Sequence, residues 1–119
     1  MSKTDDLTRL KHMLQAATEA LAFIEGCSRE TLDTDRKLAL ALVKEVEIIG
    51  EAAAQISPAC RQRYPQLPWA KIIGMRNRLI HAYHDVDLDV LWDTVTISLN
   101  PLMAELAPMI AAEEANQQR

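Results

Sequence analysis

The chain contains few of the residues that build disulfide-rich, zinc-bound or β-rich proteins. Its 119 residues include two cysteines, three glycines and only 4% aromatic side chains. Cys27 and Cys60 are too few for a disulfide framework or a four-cysteine zinc site. Because glycines and aromatics are scarce while Leu, Ala and Ile are abundant, the composition disfavours a β-sandwich and favours helices.

Length and composition predict one globular domain over residues 1–119. Apolar residues make up 49% and charged residues 25%, which is ordinary for a soluble protein and excludes a wholly disordered chain. No window near 18 residues is free of charge, so we expect no transmembrane helix. Asp5, Asp6 and Glu19 lie among the apolar positions near the start, which is not the pattern of a signal peptide. We expect a cytoplasmic protein.

Acidic residues are missing from the stretch between Ala52 and His84. The formal net charge of −4 excludes a globally basic nucleic-acid binder, but an acidic protein can still present a local cationic site. The stretch therefore predicts either a solvated basic face or an anion site, phosphate being the commonest anion that arginine binds. Its five bases are Arg61, Arg63, Lys71, Arg76 and Arg78.

Apolar residues recur at spacings of three and four, which predicts an all-α bundle of about four main helices. The first is expected from about Thr4, as its N-cap, to Glu25, with Gly26 as a stop. The longest is expected from Arg36 to Ser57. Gly50 lies inside that helix, where it predicts a close approach by a neighbouring helix, since glycine is otherwise unfavourable there.

Prolines are expected to interrupt the second half of the chain. We predict a loop over residues 58–68, which contain three prolines, and a further helix that begins at Pro68. The last helix is expected from about Asp87 onward. Pro101 lies within it, and because proline lacks an N–H we predict a kink or break there.

The run from Met75 to His84 concentrates groups that could act on a phosphodiester. It holds two arginines, two histidines, an asparagine and a tyrosine. Metal-free RNA cleavage requires a proton carrier for the 2′-hydroxyl and the leaving oxygen, and a cation for the phosphorane charge. Histidine and arginine supply these functions. Arg76 and His81 are therefore candidate catalytic residues.

Arg76 and His81 are separated by about 140° around an ideal helix. They can face one cavity only if the helix ends near His81 or if a second subunit completes the site. The plain alternative is that both are ordinary surface or capping residues.

Asp85, Asp87 and Asp89 follow this run and are expected to be structural rather than metal ligands. His81 and His84 are too few for a zinc site. The aspartates do not form a calcium loop, because Val90 and Thr96 occupy the positions where such a loop needs Gly and Glu. We expect no metal and no cofactor, and we expect the aspartates after the histidines to charge the N-terminus of the last helix. Glu47 and Glu51, one turn apart, are expected to be solvated or to hold an arginine.

The spacing of Arg76, His81 and Tyr83 resembles the R-x4-H-x-Y signature of HepT-like toxins in the HEPN superfamily. Further blocks are similar to that family: Ile48 to Ala53, Leu67 to Trp69 with Ile72 to Asn77, Leu91 to Val95 near the end, and Asp6, Leu7 and Leu10 near the start. The resemblance covers nearly the whole chain.

This resemblance implies an all-α, HEPN-like homodimer in which Arg76 and His81 of both subunits line a shared cleft. It implies the toxin of a type II/VII toxin–antitoxin system, a metal-independent endoribonuclease that cleaves cellular RNA. Asn77 would help to position the catalytic pair, and Arg78 would assist electrostatically or contact an RNA phosphate. The implied partner is an MNT-type nucleotidyltransferase antitoxin, which would neutralise the toxin by transferring AMP to Tyr83.

A non-catalytic function is the alternative hypothesis to the ribonuclease. The chain could be a helical interaction module that binds a nucleotidyltransferase without cutting RNA. The negative net charge favours the module, because affinity for nucleic acid depends largely on cationic contacts. The intact pair of Arg76 and His81 favours the enzyme.

Overall fold

Two long helices, connected through a short one, form the first half of the fold. The computed structural model describes residues 5–81 and 85–118. Helix α1 spans Asp6–Phe23, α2 spans Thr31–Thr34 and α3 spans Arg36–Gln55. The Asp5 side chain caps α1 by accepting from the backbone N–H of Thr8 at 2.8 Å, whereas the expected cap, Thr4, lies outside the described residues.

The core lies where α1 and α3 pack against each other and against the last helix. α1 and α3 each direct one apolar stripe inward, as their spacing of three and four residues predicts. The residues with no exposed surface include Leu10 and Met13 from α1, Leu42, Val46 and Ile49 from α3, and Leu99 and Leu106 from the last helix.

The prediction of a loop over residues 58–68 is wrong in its first half, where α4 spans Pro58–Arg63. Ser57 caps this helix by accepting from the N–H of Cys60 at 3.2 Å, and Pro58 occupies the first turn, where its missing N–H costs nothing. The Asp6 carboxylate accepts from both the N–H and the hydroxyl of Ser57, at 2.8 and 2.7 Å. The serine–proline pair is thus the start of a helix.

The helix predicted after Pro68 is divided at Gly74. α5 spans Trp69–Ile73 and α6 spans Met75–Leu79. At Gly50 of α3, a Cβ atom would lie 3.2 Å from the carbonyl oxygen of Ile73. The prediction that Gly50 permits a close helix approach is therefore confirmed, and the neighbour is the end of α5.

The last helix is continuous from Leu88 to Gln117 but contains one widened turn. α7 spans Leu88–Asp93, a π-helical turn spans Thr94–Ser98, and α8 spans Leu99–Gln117. Of the kink or break predicted at Pro101, the break is wrong, because the helix continues through the proline. The distortion precedes the proline and includes Ile97, whose carbonyl is the group that an N–H at position 101 would have bonded.

By length and composition this continuous helix could also cross a membrane. One such helix is weak evidence, because core helices of soluble proteins pass the same test, and here 33% of the apolar window is buried inside the fold. The length and apolar composition of this helix are therefore weak evidence for a membrane span.

The predicted all-α class is confirmed. Residues 5–81 and 85–118 contain no β-strand, only an isolated antiparallel bridge between Ile80 and Val86. Three of the four predicted main helices are long helices, whereas the one after Pro68 consists of the two short helices α5 and α6.

Candidate active site

The end of α6 decides where the two candidate catalytic residues lie. Arg76 is in α6, and the helix ends at Leu79, two residues before His81. Ile80 already has extended backbone angles, with φ −114° and ψ 121°. The separation of 140° that a continuous helix would impose therefore does not apply. The first of the two conditions under which these residues can share a cavity, a helix that ends near His81, is met.

Two backbone hydrogen bonds close the segment that follows α6. The N–H of His81 donates to the carbonyl oxygen of Asp85, and the N–H of Asp87 donates to that of Leu79, both at 2.7 Å. Residues 82–84, which include Tyr83 and His84, lie outside the described residues. The backbone of His81 is thus hydrogen-bonded to Asp85, although His81 lies beyond the helix.

Arg76 is held by an acidic side chain from another helix. Its Nε donates to Oε2 of Glu47 in α3 at 2.7 Å, and Oε1 of Glu47 lies 3.7 Å from Nζ of Lys44. The side chain of Arg76 is 40% exposed and that of Glu47 is 22% exposed. This contact confirms the expectation that the pair Glu47 and Glu51 is solvated or holds an arginine, since Glu51 is exposed.

His81 also lies beside a carboxylate. Its Nε2 is 3.4 Å from Oδ2 of Asp87, and its side chain is 60% exposed. The other oxygen of Asp87 caps α7 by accepting from the N–H of Val90 at 3.1 Å. That backbone hydrogen bond is the main cause that lowers the pKa of Asp87, and the contact with His81 adds to it against the opposing effect of burial. Asp87 is therefore ionised at neutral pH.

No hydrogen bond or ion pair joins Arg76 to His81 within the described part of the chain. Each has its own acidic partner on a different element. Because the guanidinium and the imidazole are both substantially exposed, both can reach a substrate from solvent. The structure thus presents two separately supported polar groups near the end of α6.

The two residues that follow Arg76 take different positions. Asn77 is exposed, and its backbone N–H donates to the carbonyl of Gly74 at 3.1 Å. Nη2 of Arg78 donates to the carbonyl of Lys71 at 3.2 Å. Because Arg78 lies about 200° around the helix from Arg76, it borders a separate groove, described below.

Two of the five bases in the acid-free stretch bind backbone or side-chain groups of neighbouring helices. Nη2 of Arg61 donates to the carbonyls of Ala53 and Ala54, at 3.2 and 3.0 Å, where α3 ends. Nη2 of Arg63 pairs with Glu113 of α8 at 2.9 Å. The bases that remain are Lys71, Arg76 and Arg78 of α5 and α6. They do not form one cationic region, because Arg76 pairs with Glu47 while Arg78 borders the separate groove.

The aspartates after His84 lie at the start of α7, as the sequence predicts. Asp87 is the cap, and Asp89 accepts from Nε of Arg29 at 2.6 Å. Within residues 5–81 and 85–118 no three His, Cys, Asp or Glu side chains are grouped as metal ligands.

A groove of about 410 Å³ lies between the α5–α6 segment and the π-helical turn. Its walls include Pro68, Ile72 and Pro101, and Ile97 at its edge is 65% exposed. Sequence reasoning missed this groove, because it exists only where segments distant in the sequence meet.

Sequence reasoning also missed a buried acid. Glu45 of α3 is only 4% exposed. Desolvation, together with the nearby carboxyl of Glu19 in α1, raises the pKa of Glu45 to about 7. The available signal was its position, three residues after Leu42 and four before Ile49 on the apolar stripe.

Comparison with known proteins identifies the family of this chain. A family model described as Ribonuclease HepT-like matches residues 13–109. A protein of Thermococcus cleftensis that carries the name ribonuclease HepT is 39% identical over 89 residues, which are 71% of this chain and 81% of that protein. A protein of Caldanaerobacter subterraneus subsp. tengcongensis that carries an RNase name is 31% identical over 105 residues, 88% and 94% of the two chains. No solved structure gives a significant match. The chain belongs to the HepT-like ribonuclease family.

Proposed function

We propose that this protein is a metal-independent endoribonuclease whose catalytic groups are Arg76 and His81. The observation that carries the proposal is the end of α6 at Leu79, which removes the angular conflict between the two residues. Both side chains are substantially exposed, and each is supported by a carboxylate. Membership of the HepT-like ribonuclease family points to RNA as the substrate.

The chemistry requires no group beyond those on the chain and on RNA. The 2′-oxygen of a ribose attacks the adjacent phosphorus, and its proton passes to a base such as the neutral imidazole of His81. The bond from phosphorus to the 5′-oxygen breaks, and that oxygen takes up a proton. The products are a 2′,3′-cyclic phosphate and a 5′-hydroxyl. The guanidinium of Arg76 stabilises the negative charge of the phosphorane.

A homodimer fits the need for two proton transfers. One imidazole acts as base or as acid at a given moment, so a second proton carrier in the same cleft assists the other transfer. A two-fold axis near the site would bring His81 of a second subunit into it. Asn77, exposed beside Arg76, is proposed to help position the pair, and Arg78 is proposed to contribute charge from the opposite side of α6.

We further propose that the protein is a cytoplasmic toxin controlled by an MNT-type nucleotidyltransferase antitoxin. AMP on Tyr83 would place a phosphodiester two residues from His81. The added bulk would obstruct the cleft, and the added charge would repel an RNA phosphate. This part of the proposal rests on the resemblance of residues 76–83 to the family signature.

The test is cleavage of RNA by the purified chain in EDTA. Wild type is expected to cut, and His81→Ala and Arg76→Ala are each expected to cut about 10²-fold or more slowly, because each lacks a proton carrier or a transition-state cation. His12→Ala, which removes an exposed histidine of α1, is the matched control and should cleave like wild type. If both site variants cleave at the wild-type rate, the enzyme proposal fails.

The alternative function is a non-catalytic module that binds a nucleotidyltransferase. The observation that favours it is the engagement of Arg61, Arg63 and Arg76 with carbonyls or carboxylates of the chain itself. Under this alternative, wild type and both site variants would bind the nucleotidyltransferase equally and none would cut RNA.

A further inference from the structure

We propose that Glu47 is a positioning residue for catalysis, which holds the Nε edge of Arg76 so that the terminal amino groups of the guanidinium face the RNA phosphate. This inference rests on the proposed ribonuclease function. It assigns a role to a residue of α3, a helix that carries none of the signature residues.

The contact with Glu47 uses only the Nε edge of the Arg76 guanidinium and leaves Nη1 and Nη2 available to bind a phosphate. Arginine has five N–H donors in a planar fork. The one on Nε is taken by Oε2 of Glu47 at 2.7 Å. Among the described residues, the four donors on Nη1 and Nη2 of Arg76 have no hydrogen-bond partner. Two of them can bind a phosphate side by side, while the Nε contact fixes the plane of the group.

The backbone brings Glu47 to this position for an identifiable reason. Gly50 lies one turn further along α3, on the same face as Glu47. A Cβ at Gly50 would lie 3.2 Å from the carbonyl oxygen of Ile73 and 3.4 Å from that of Ile72. A side chain at position 50 would require the end of α5 to move by a few tenths of an ångström. Arg76 follows Ile73 by three residues.

The contact is better suited to orientation than to stability. Both side chains are partly exposed, and ion pairs of that kind contribute little to folding because water screens the charges. Arginine, however, has a long side chain with many rotamers, so a fixed partner at Nε removes the entropy cost of orienting it when substrate binds.

The experiment compares substitutions that separate the hydrogen bond from the charge. Glu47→Ala removes both, whereas Glu47→Gln keeps an oxygen that can accept from Nε. Glu51→Ala is the matched control, because Glu51 is an exposed glutamate one turn further along the same helix. Single-turnover cleavage of a fluorescein-labelled single-stranded RNA gives the rate constant, and anisotropy with the 2′-O-methyl form of that RNA gives the affinity.

We expect Glu47→Ala to lower the cleavage rate constant by about tenfold or more, since small misplacements of a catalytic group are costly. Glu47→Gln should recover most of that loss, and Glu51→Ala should stay within about twofold of wild type. In an Arg76→Lys background, which lacks Nε, Glu47→Ala should have no further effect. All variants should unfold at the wild-type temperature within about 2 °C, since an exposed pair adds little stability.

Three results would overturn the inference. Wild-type or faster cleavage by Glu47→Ala would show that Glu47 is idle or competes with the phosphate. An equal loss in Glu47→Gln and Glu47→Ala would show that the charge matters rather than the orientation. A full loss that persists in the Arg76→Lys background would show that Glu47 acts elsewhere.

A second measurement separates this inference from the ribonuclease proposal. The Nε–H resonance of Arg76, identified by its disappearance in Arg76→Lys, should exchange slowly with water in the wild type and rapidly in Glu47→Ala. If wild type cuts no RNA but exchange depends on Glu47, the ribonuclease proposal fails while the contact stands. If exchange is the same in both proteins, Glu47 does not hold Arg76.

Discussion

The backbone N–H of Asp87 donates to the carbonyl oxygen of Leu79 at 2.7 Å. This bond joins the last residue of α6 to the cap of α7, the two residues that flank the stretch with His81. The same Asp87 accepts from Val90 through one carboxylate oxygen and lies 3.4 Å from His81 through the other. One side chain therefore connects the start of a core helix to a candidate catalytic group.

The two contacts of Asp87 can be separated by substitution. Asparagine caps helices as well as aspartate does, so Asp87→Asn should keep the stability of the protein while it removes the negative charge beside His81. We expect RNA cleavage to fall severalfold with little change in melting temperature. Asp87→Ala should in addition lose about 1 kcal/mol of folding free energy through the lost cap.

The control for the two Asp87 variants is Asp89→Asn, which removes a negative charge from the same end of α7. The Asp89 side chain contacts Arg29 rather than His81. Chemical denaturation and a cleavage assay on the same samples provide the two readouts. An Asp87→Asn variant that cleaves at the Asp89→Asn rate would show that the carboxylate near His81 has no catalytic effect.

We expect Glu45 to make the stability of the fold depend on pH in the neutral range. Its pKa is raised from an ordinary value of 4.5 to about 7 in the folded state, so the folded protein holds this proton more tightly than the unfolded chain. The stability linked to Glu45 is therefore complete below about pH 4.5 and is lost as pH rises through 7. We expect the melting temperature to fall between pH 5 and pH 8.

Glu45→Gln is neutral at every pH and should flatten that slope. Glu19→Gln removes the neighbouring carboxyl and should reduce the slope partly, because desolvation, the larger cause of the raised pKa, remains. Melting curves at half-unit pH intervals measure the effect. The same slope in wild type and Glu45→Gln would assign the pH dependence to another group.

A branched side chain at Gly50 should destabilise the protein. A Cβ there meets the carbonyl of Ile73 at 3.2 Å, so Gly50→Val should separate α3 from α5 and cost about 1–3 kcal/mol by overpacking. It should also lower RNA cleavage by more than its effect on stability explains, since Glu47 and Arg76 would be moved apart.

Glu51→Val is the control, because it places the same side chain at an exposed neighbouring position, and it should cost less than about 1 kcal/mol. Equal denaturation midpoints for the two variants would contradict the close approach.

Tyr83 should be the acceptor of AMP from the nucleotidyltransferase. Mass spectrometry after co-expression with the partner should show added AMP units on wild type but none on Tyr83→Phe, because Phe keeps the ring and lacks the nucleophilic oxygen. Tyr64 is the internal control. Its hydroxyl donates to Glu113 at 2.8 Å, and burial together with this contact raises the pKa of Tyr64 to about 12. AMP found on Tyr64, Ser or Thr with Tyr83 unmodified would refute this form of regulation.

The protein should be a dimer in solution. Sedimentation equilibrium at micromolar concentration is expected to give twice the chain mass of 13.4 kDa, because the proposed two-fold cleft would supply a second proton carrier for cleavage. A single species of 13.4 kDa would exclude the shared cleft and would leave any cleavage to one Arg76–His81 pair.

Much of the fold was predictable from local patterns. The apolar stripes of α1, α3 and the last helix, and the cap at Asp87, follow from residue spacing and side-chain chemistry within a few positions. The candidate catalytic residues were also predictable, because Arg76 and His81 lie in one short run whose spacing resembles a known signature. The error at Pro58 was local too, since the serine–proline pair is a helix start that the number of prolines obscured.

The sequence by itself determined the all-α class, the family and the side chains available for chemistry, because those depend on residues close together in the chain. Only the tertiary structure decided which acid holds Arg76, that Arg61 and Arg63 serve the fold, that Glu45 is buried beside Glu19, and that α6 ends before His81. These facts depend on contacts between residues far apart in the chain, where packing and the geometry of hydrogen bonds select one partner among many of similar chemistry.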